Sequence, residues 1–133
     1  MDFMERSNIS SGSPWEGRAG YSRAVRLGQF VYVAGTTASD AEGKVHGVGD
    51  PYAQTKYVLE KIETALKQAG SGVKDVVRTR MFVTDISQTP EISRAHFEFF
   101  HDVRPAATMV QVSGLVSKEM LIEIEADAVI PET

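Results

Sequence analysis

The sequence predicts an α+β fold, a single mixed β-sheet of about six strands with two helices packed on one of its faces. Segments in which apolar and polar residues alternate, as in strands, surround two segments whose apolar residues recur at helical spacing. Their order is strand, strand, helix, strand, helix, strand, strand, which is typical of such a sheet. With 133 residues, of which 42% are hydrophobic and 24% charged, the chain fits one domain over residues 1–133.

The N-terminal part predicts an irregular segment followed by a β-hairpin. Residues 1–20 form the predicted irregular segment, whose serines and glycines favour turns, and we expect Trp15 to anchor it to the domain. Two short strands, Tyr21 to Leu27 and Gln29 to Ala34, are separated by a single glycine, and this spacing predicts a tight turn. Residues 36–49 are small and polar and predict a loop that can border a site.

Two helices are predicted between this hairpin and the C-terminal strands. Asp50 and Pro51 are typical of a helix cap and a first turn, an apolar stripe follows them, and Gly70 ends the helix. A second helix is predicted from Thr89 to about residue 103. Between the helices, residues 76–84 alternate as a strand does. One face of that strand would carry Val77, Thr79, Met81 and Val83, and the other Arg78, Arg80 and Phe82.

The last two strands, residues 106–112 and 121–129, complete the predicted sheet. In the second of them one face carries acids and the other carries apolar residues, namely Glu123, Glu125 and Asp127 opposite Ile122, Ile124, Ala126, Ala128 and Ile130. A row of acids requires water or cationic partners, and Arg78 and Arg80 are the candidates. The sheet face away from the helices is expected to carry Val, Met and Ile, which favours self-association.

The composition argues against several classes of function. A net charge of −4 without any basic run disfavours a protein that binds a nucleic-acid backbone. The chain has no cysteine, which excludes disulfides and thiolate chemistry. His46, His96 and His101 lack metal-ligand spacing, and we interpret His96 as a half-buried packing residue. No apolar segment is long enough to span a bilayer. We therefore expect a cytoplasmic protein with no cofactor, metal, nucleic-acid partner or membrane partner.

Several motifs resemble the Rid family, also called YjgF, whose enzymes hydrolyse reactive enamines and imines. They are GYSRAVRLGQFVYVAG at residues 20–35, RMFVTD at 80–85, FEFF at 97–100, RPAATMVQVSGLV from Arg104, and IEIEADAVI from Ile122. The resemblance covers the chain from about residue 20 to 130. It implies a homotrimer with a chorismate-mutase-like fold that binds small molecules at its subunit interfaces. A dimer that buries the same sheet face is the alternative.

One position departs from the family's pattern. Deaminases of the family carry an arginine two residues after the proline of the C-terminal motif, where it binds the substrate carboxylate, but here Pro105 is followed by Ala106 and Ala107. Losing one partner of a buried charge pair commonly costs about 2 to 5 kcal/mol. We therefore expect a branch without this arginine, with a substrate different from the small amino-acid-derived enamines. Arg104 can replace it only if the turn redirects its side chain; otherwise it is an exposed cation at the end of the second helix.

The resemblance implies one catalytic candidate, Glu123, which matches a glutamate thought to position the attacking water. The alternative is an ion pair of Glu123 with Arg78 or Arg80, and such a pair is also the interpretation we favour for Glu125 and Asp127. The ligand-binding candidates are Tyr21, Ala34, Gly35, Ser93, Arg104 and Ala107. In the family, Tyr21 matches a tyrosine that lines the cleft, and Gly35 matches a glycine where backbone approaches the ligand. Ala34 stands in place of a serine, and Ser93 aligns with an asparagine. Tyr21 has the alternative of packing against the N-terminal segment.

These residues leave two main functions open. The first is an enzyme that hydrolyses a carbon–nitrogen double bond and releases ammonia, with Glu123 assisting the water. The second is a module that holds a small metabolite without turnover. A third function, action on RNA, follows from older names of the family and is disfavoured by the acidic composition.

Overall fold

A computed structural model of the protein describes residues 5–132, and within them it has six strands and three α-helices. The strands are β1 (Arg6–Ile9), β2 (Ala24–Leu27), β3 (Phe30–Thr36), β4 (Val76–Val83), β5 (Ala106–Gln111) and β6 (Ile122–Val129). The helices are α1 (Pro14–Ala19), α2 (Pro51–Gln68) and α3 (Thr89–Phe100). Two single-turn helices, Val73–Asp75 and Ile86–Gln88, lead into β4 and α3.

All six strands belong to one sheet, in the order β1-β2-β3-β6-β4-β5. Only β4 and β5 are parallel, because α3 carries the chain back between them, and the other neighbours are antiparallel. The two long helices pack against each other and against the same face of the sheet. The predicted mixed sheet with two helices on one face is therefore confirmed.

Helix α2 forms as its sequence predicts. The Asp50 carboxylate accepts a hydrogen bond from the backbone N–H of Ala53 at 3.0 Å, and Pro51 occupies the first turn. Gly70 adopts a positive φ of 83° just beyond the helix end. The apolar stripe of α2 lies in a core shared with β3, β4 and β6, which buries Val31, Val58, Leu59, Ile62, Leu66, Val83, Ile122 and Ile124.

The N-terminal segment is more regular than predicted within residues 5–20; residues 1–4 lie outside the described part of the chain. β1 pairs with β2, and Ser13 caps the short helix α1. Trp15 is 60% exposed and does not anchor the segment, so that prediction is wrong. The buried Glu16 anchors it instead, because its carboxylate accepts hydrogen bonds from the Ser10 hydroxyl at 3.0 Å and the Ser11 backbone N–H at 3.2 Å.

The sheet face opposite α2 and α3, called the open face below, differs from the prediction in its apolar residues. Met81, Ile122 and Ile124 are buried under the helices. Aromatic residues and valines lie on the open face instead, namely Val25, Phe30, Tyr32, Phe82 and Val110. Val77 was expected to share a face with Thr79. An irregularity in the pairing with β6 between Val76 and Arg78 leaves Val77 48% exposed.

Gln54 joins α2 to the start of β6. Its buried amide donates hydrogen bonds to the Gly47 carbonyl at 3.2 Å and the Glu119 carbonyl at 2.8 Å, and its Oε1 accepts one from the Leu121 N–H at 2.9 Å. The Gln54 side chain thereby forms hydrogen bonds with three backbone groups that have no partner in a helix or strand.

We predict that Gln54→Leu lowers the free energy of unfolding by about 2 to 4 kcal/mol, because it leaves buried backbone groups without partners. Urea unfolding measures this. Gln68→Leu, at an exposed position of the same helix, is the control and should change stability by no more than about 0.5 kcal/mol. Equal effects of the two substitutions would contradict the role assigned to Gln54.

Candidate functional site

The backbone of β3 approaches the side chain of Glu123 at Gly35. The pairing of β3 with β6 shifts register between Val33 and Thr36, and Gly35 lies in this irregular stretch. A Cβ atom on Gly35 would lie 3.0 Å from Cδ of Glu123 and would overlap a carboxylate oxygen. Only glycine therefore allows the Glu123 carboxylate to lie over this part of β3.

Glu123 is half-buried on the open face and has the environment of a perturbed acid. Burial raises the pKa of its carboxyl group; the positive charge of Arg23 opposes this rise, and the negative charge of Glu125 adds to it. In the sheet Glu123 is opposite Phe82 on β4, which offers no charge. A half-buried carboxyl group with a raised pKa can exchange protons at a milder pH than an exposed glutamate.

The alternative interpretation of Glu123, an ion pair with Arg78 or Arg80, is not found within residues 5–132. Arg80 is paired with the other two acids of β6, at 3.3 Å from Glu125 and 3.1 Å from Asp127. The register explains this, since Arg80 is directly opposite Glu125. The structural interpretation of Glu125 and Asp127 is thereby confirmed.

Arg23 is a site residue that the sequence analysis missed. Its Nη2 donates a hydrogen bond to the Gly35 carbonyl at 2.5 Å, and its guanidinium lies 6.0 Å from the centre of the Tyr21 ring. Its Nε is buried and has no hydrogen-bond partner within residues 5–132. Arg23 thus contacts both Tyr21 and Gly35, and its charge acts on Glu123. Its place two residues after Tyr21, on the same face of the predicted strand, was the available signal.

Lys61 of α2 fixes the loop that follows β3. Its Nζ donates hydrogen bonds to the carbonyls of Thr37 and Ser39, both at 2.7 Å. Burial lowers the pKa of Lys61 to about 8, and the nearby charge of Arg23 acts in the same direction. The predicted loop therefore borders the site with its first residues held by α2.

Tyr21 and Ala34 line a groove of about 610 Å³ on the open face. Its other walls come from β1, α1, β2, β3 and β6, and include Arg6, Asn8, Glu16, Val25, Tyr32, Glu125 and Asp127. Tyr21 lines this groove with 42% of its surface exposed. Gly35 directly follows Ala34 on β3, and Glu123, which lies against Gly35, is the open-face residue of β6 before Glu125. Four predicted site residues therefore lie in one region, Tyr21 and Ala34 in the groove and Gly35 and Glu123 beside it.

Ser93, Arg104 and Ala107 lie elsewhere in the chain. All three are exposed. β5 is separated by β4 from β6, the strand that carries Glu123, which corresponds to about 10 Å at the usual strand spacing. Ala107 is paired with Thr79 and so shares the helix-covered face, whereas Glu123 lies on the open face. A single chain does not bring these residues to Glu123.

The turn at Arg104 has a conformation that the sequence did not predict. Arg104 has a positive φ of 53°, and its N–H donates a hydrogen bond to the Phe100 carbonyl at 2.8 Å, which ends α3. Its side chain is exposed at this helix end, as one of the two sequence interpretations predicts.

The interpretation of His96 as a half-buried packing residue is confirmed. Nε2 of the half-buried His96 lies 2.9 Å from the Thr79 hydroxyl, its ring packs on Phe100, and burial lowers the pKa of its imidazole. Between residues 5 and 132 no three His, Asp or Glu side chains are arranged to hold a metal ion. Nor is any helix in that range long and apolar enough to cross a membrane.

Comparison with known proteins decides the family. A family model described as Endoribonuclease L-PSP matches residues 13–130. The chain belongs to this family, which is also called YjgF or Rid. A Rid relative from Acinetobacter baylyi, named 3-aminoacrylate deaminase RutC, is 41% identical over 83% of this chain and 86% of its own length.

Solved structures of the YjgF family agree with the fold. A Mycobacterium tuberculosis member of the YjgF/YER057c/UK114 family has 48% sequence identity and a TM-score of 0.86, covering 95% of this chain and all of that one. The YjgF gene product of Escherichia coli has 29% identity and a TM-score of 0.80, covering 92% and 98%. The family resemblance and the YjgF-like fold predicted from the sequence are thereby confirmed.

We predict that Glu123→Gln makes the protein more stable than wild type at pH 7. A raised pKa means that the folded state binds more protons than the unfolded state, so wild-type stability falls as pH rises above about 4.3, the ordinary pKa of an unfolded glutamate. Glutamine removes this penalty. The difference between variant and wild type should disappear below that pH, and urea unfolding across pH measures it.

The matched control is Glu125→Gln, which removes a partner of Arg80. It should lower stability at pH 7 by up to about 1 kcal/mol. If Glu123→Gln were the destabilising substitution at pH 7 and Glu125→Gln the stabilising one, the environment assigned to Glu123 would be wrong.

Proposed function

We propose that this Rid protein hydrolyses imine or enamine intermediates and releases ammonia. The observation that carries the proposal is the half-buried Glu123 carboxyl group, which lies against glycine backbone on the open face and has no ion-pair partner within residues 5–132. A carboxylate in this position can accept a proton from water and then return one to the departing nitrogen. The name of the Acinetobacter baylyi relative, 3-aminoacrylate deaminase, supports the same reaction class.

In the proposed reaction, water adds to the carbon of a protonated imine and one water proton passes to Glu123, which gives a neutral carbinolamine. Glu123 then protonates the nitrogen, the carbon–nitrogen bond breaks and ammonia leaves. The hydroxyl proton passes to water as the carbonyl group of the product forms. The Gly35 backbone borders the substrate, and Tyr21 lines the approach through the groove. No step requires a cofactor, since both the nucleophile and the proton come from water.

We propose that the complete site lies between subunits of a homotrimer. Two facts support this: the open face keeps Phe30 and Tyr32 about half exposed, and the side of the molecule that bears Ala107 cannot reach Glu123 within one chain. A second copy placed against the open face would cover the aromatic residues and bring its own Ser93, Arg104 and Ala107 towards Glu123. The small-molecule ligand then binds at each subunit interface, in a protein of the cytoplasm.

The proposed substrate differs from the small amino-acid-derived enamines. Alanine at position 107 provides no cation for a substrate carboxylate, and the adjoining groove is large and lined by Tyr21, Tyr32 and three acids. An uncharged or differently charged imine with a larger substituent suits this groove better. The same alanine favours the second candidate function, a trimer that binds a small metabolite without turnover.

Ammonia release from a panel of imines, generated by oxidation of amino acids, tests the proposal. Wild type should hydrolyse members with large substituents, and Glu123→Ala should lose at least about 100-fold in rate because the proton acceptor is gone. Glu63→Ala, on the outer surface of α2, is the control and should keep the wild-type rate. Ala107→Arg should gain activity on imines that carry a carboxylate.

Two results would contradict parts of this account. Fast hydrolysis of 2-aminoacrylate by wild type would refute the proposed substrate class. If no imine yields ammonia but the protein binds a ligand and Glu123→Ala weakens that binding, the protein is a metabolite-binding trimer and not an enzyme.

A further inference from the structure

Arg23 and Glu123 approach the same peptide of β3 from its two neighbouring strands. Arg23 immediately precedes β2, where its carbonyl accepts a hydrogen bond from the Ala34 N–H at 3.0 Å, and its side chain reaches on to the Gly35 carbonyl at 2.5 Å. Glu123 comes from β6, and its carboxyl group lies against Cα of Gly35. A positive and a negative side chain therefore both lie beside Gly35, in the middle of the candidate site.

The other charged groups around Glu123 do not supply this positive charge. On β6 its neighbour is the acid Glu125, and on β4 its partner is the uncharged Phe82. Arg80 of β4 is occupied by Glu125 and Asp127. From α2, Lys61 is held by two carbonyls of the loop after β3. Arg23 is thus the cation whose field acts on Glu123.

We propose that Arg23 is a positioning residue that holds Glu123 as an ionised carboxylate over Gly35, and this inference rests on the proposed function. The hydrogen bond to the Gly35 carbonyl fixes the Arg23 guanidinium beside the site. Its Nε is buried, so the positive charge of Arg23 lies within the protein next to Gly35. No ion pair joins the two side chains within the described part of the chain, so Arg23 acts through its field while the carboxylate remains available to water. The charge of Arg23 thereby limits the effect of burial on the ionisation of Glu123, and it does so without an ion pair that would block the Glu123 oxygens.

The test is an NMR titration of the Glu123 carboxyl group, observed with isotope-labelled glutamate and assigned through Glu123→Gln. At the wild-type midpoint, Arg23→Gln should lower the ratio of ionised to protonated Glu123 about tenfold, because the opposing positive charge is gone. Arg23→Met should do the same and serves if Arg23→Gln does not fold. Arg23→Lys keeps the charge and should restore a titration close to that of wild type.

Arg26→Gln is the matched control. Arg26 lies on β2 and also donates hydrogen bonds to backbone carbonyls, at 2.9 Å to both Gly28 and Ala69, at the far end of the strand. It should leave the Glu123 titration unchanged. Wild-type titration of Glu123 in both Arg23→Gln and Arg23→Met, or equal shifts in Arg26→Gln, would overturn the inference.

The titration requires no turnover, so it separates this inference from the proposed function. If the Glu123 midpoint shifts in Arg23→Gln but the protein releases no ammonia, the role of Arg23 stands and the proposed enzymatic activity is refuted. If ammonia is released, the acidic limb of the rate profile should move to higher pH in Arg23→Gln, together with the NMR midpoint.

Discussion

The structure depends on one constraint: the chain's two long helices can cover only one face of its sheet. That face holds the apolar core of α2, α3 and the central strands. The open face receives the aromatic residues Phe30, Tyr32 and Phe82, together with the charged residues of β4 and β6. All of the groups to which we assign chemistry lie on or beside this open face. In the proposed trimer, one contact between subunits would therefore both bury this face and complete the candidate site.

Charge on the open face is distributed unevenly, and this distribution selects one acid. Arg80 pairs with both Glu125 and Asp127 in the part of the face that a partner would cover. Glu123 has no ion pair within residues 5–132, and the positive charge that acts on it is that of Arg23. It lies where Gly35 allows a carboxylate to approach backbone. An acid that is half-buried without an ion pair costs stability, and such costs are commonly found at functional sites because the function requires them.

The sequence predicted the fold well where one local rule decided each element. The cap at Asp50, the stripe of α2 and the alternation in β6 gave elements that the structure confirms. It failed where tertiary contacts decide. Glu16, not Trp15, anchors the N-terminal segment, because serines that are near in sequence supply its partners. That Glu123 has no ion pair within residues 5–132 could not be predicted, because the acids that Arg80 reaches depend on the register of β4 against β6. Arg23 was missed because its contact with Gly35 depends on the register shift in β3.

The central claim is that further copies of the chain cover the open face and complete the site beside Glu123. Light scattering of the purified protein in solution, over a range of concentrations, tests it most directly. The account predicts the mass of three chains of 14.6 kDa each, maintained on dilution. A particle with the mass of a single chain at every concentration would contradict the account, because the aromatic open face and the site beside it would then remain uncovered.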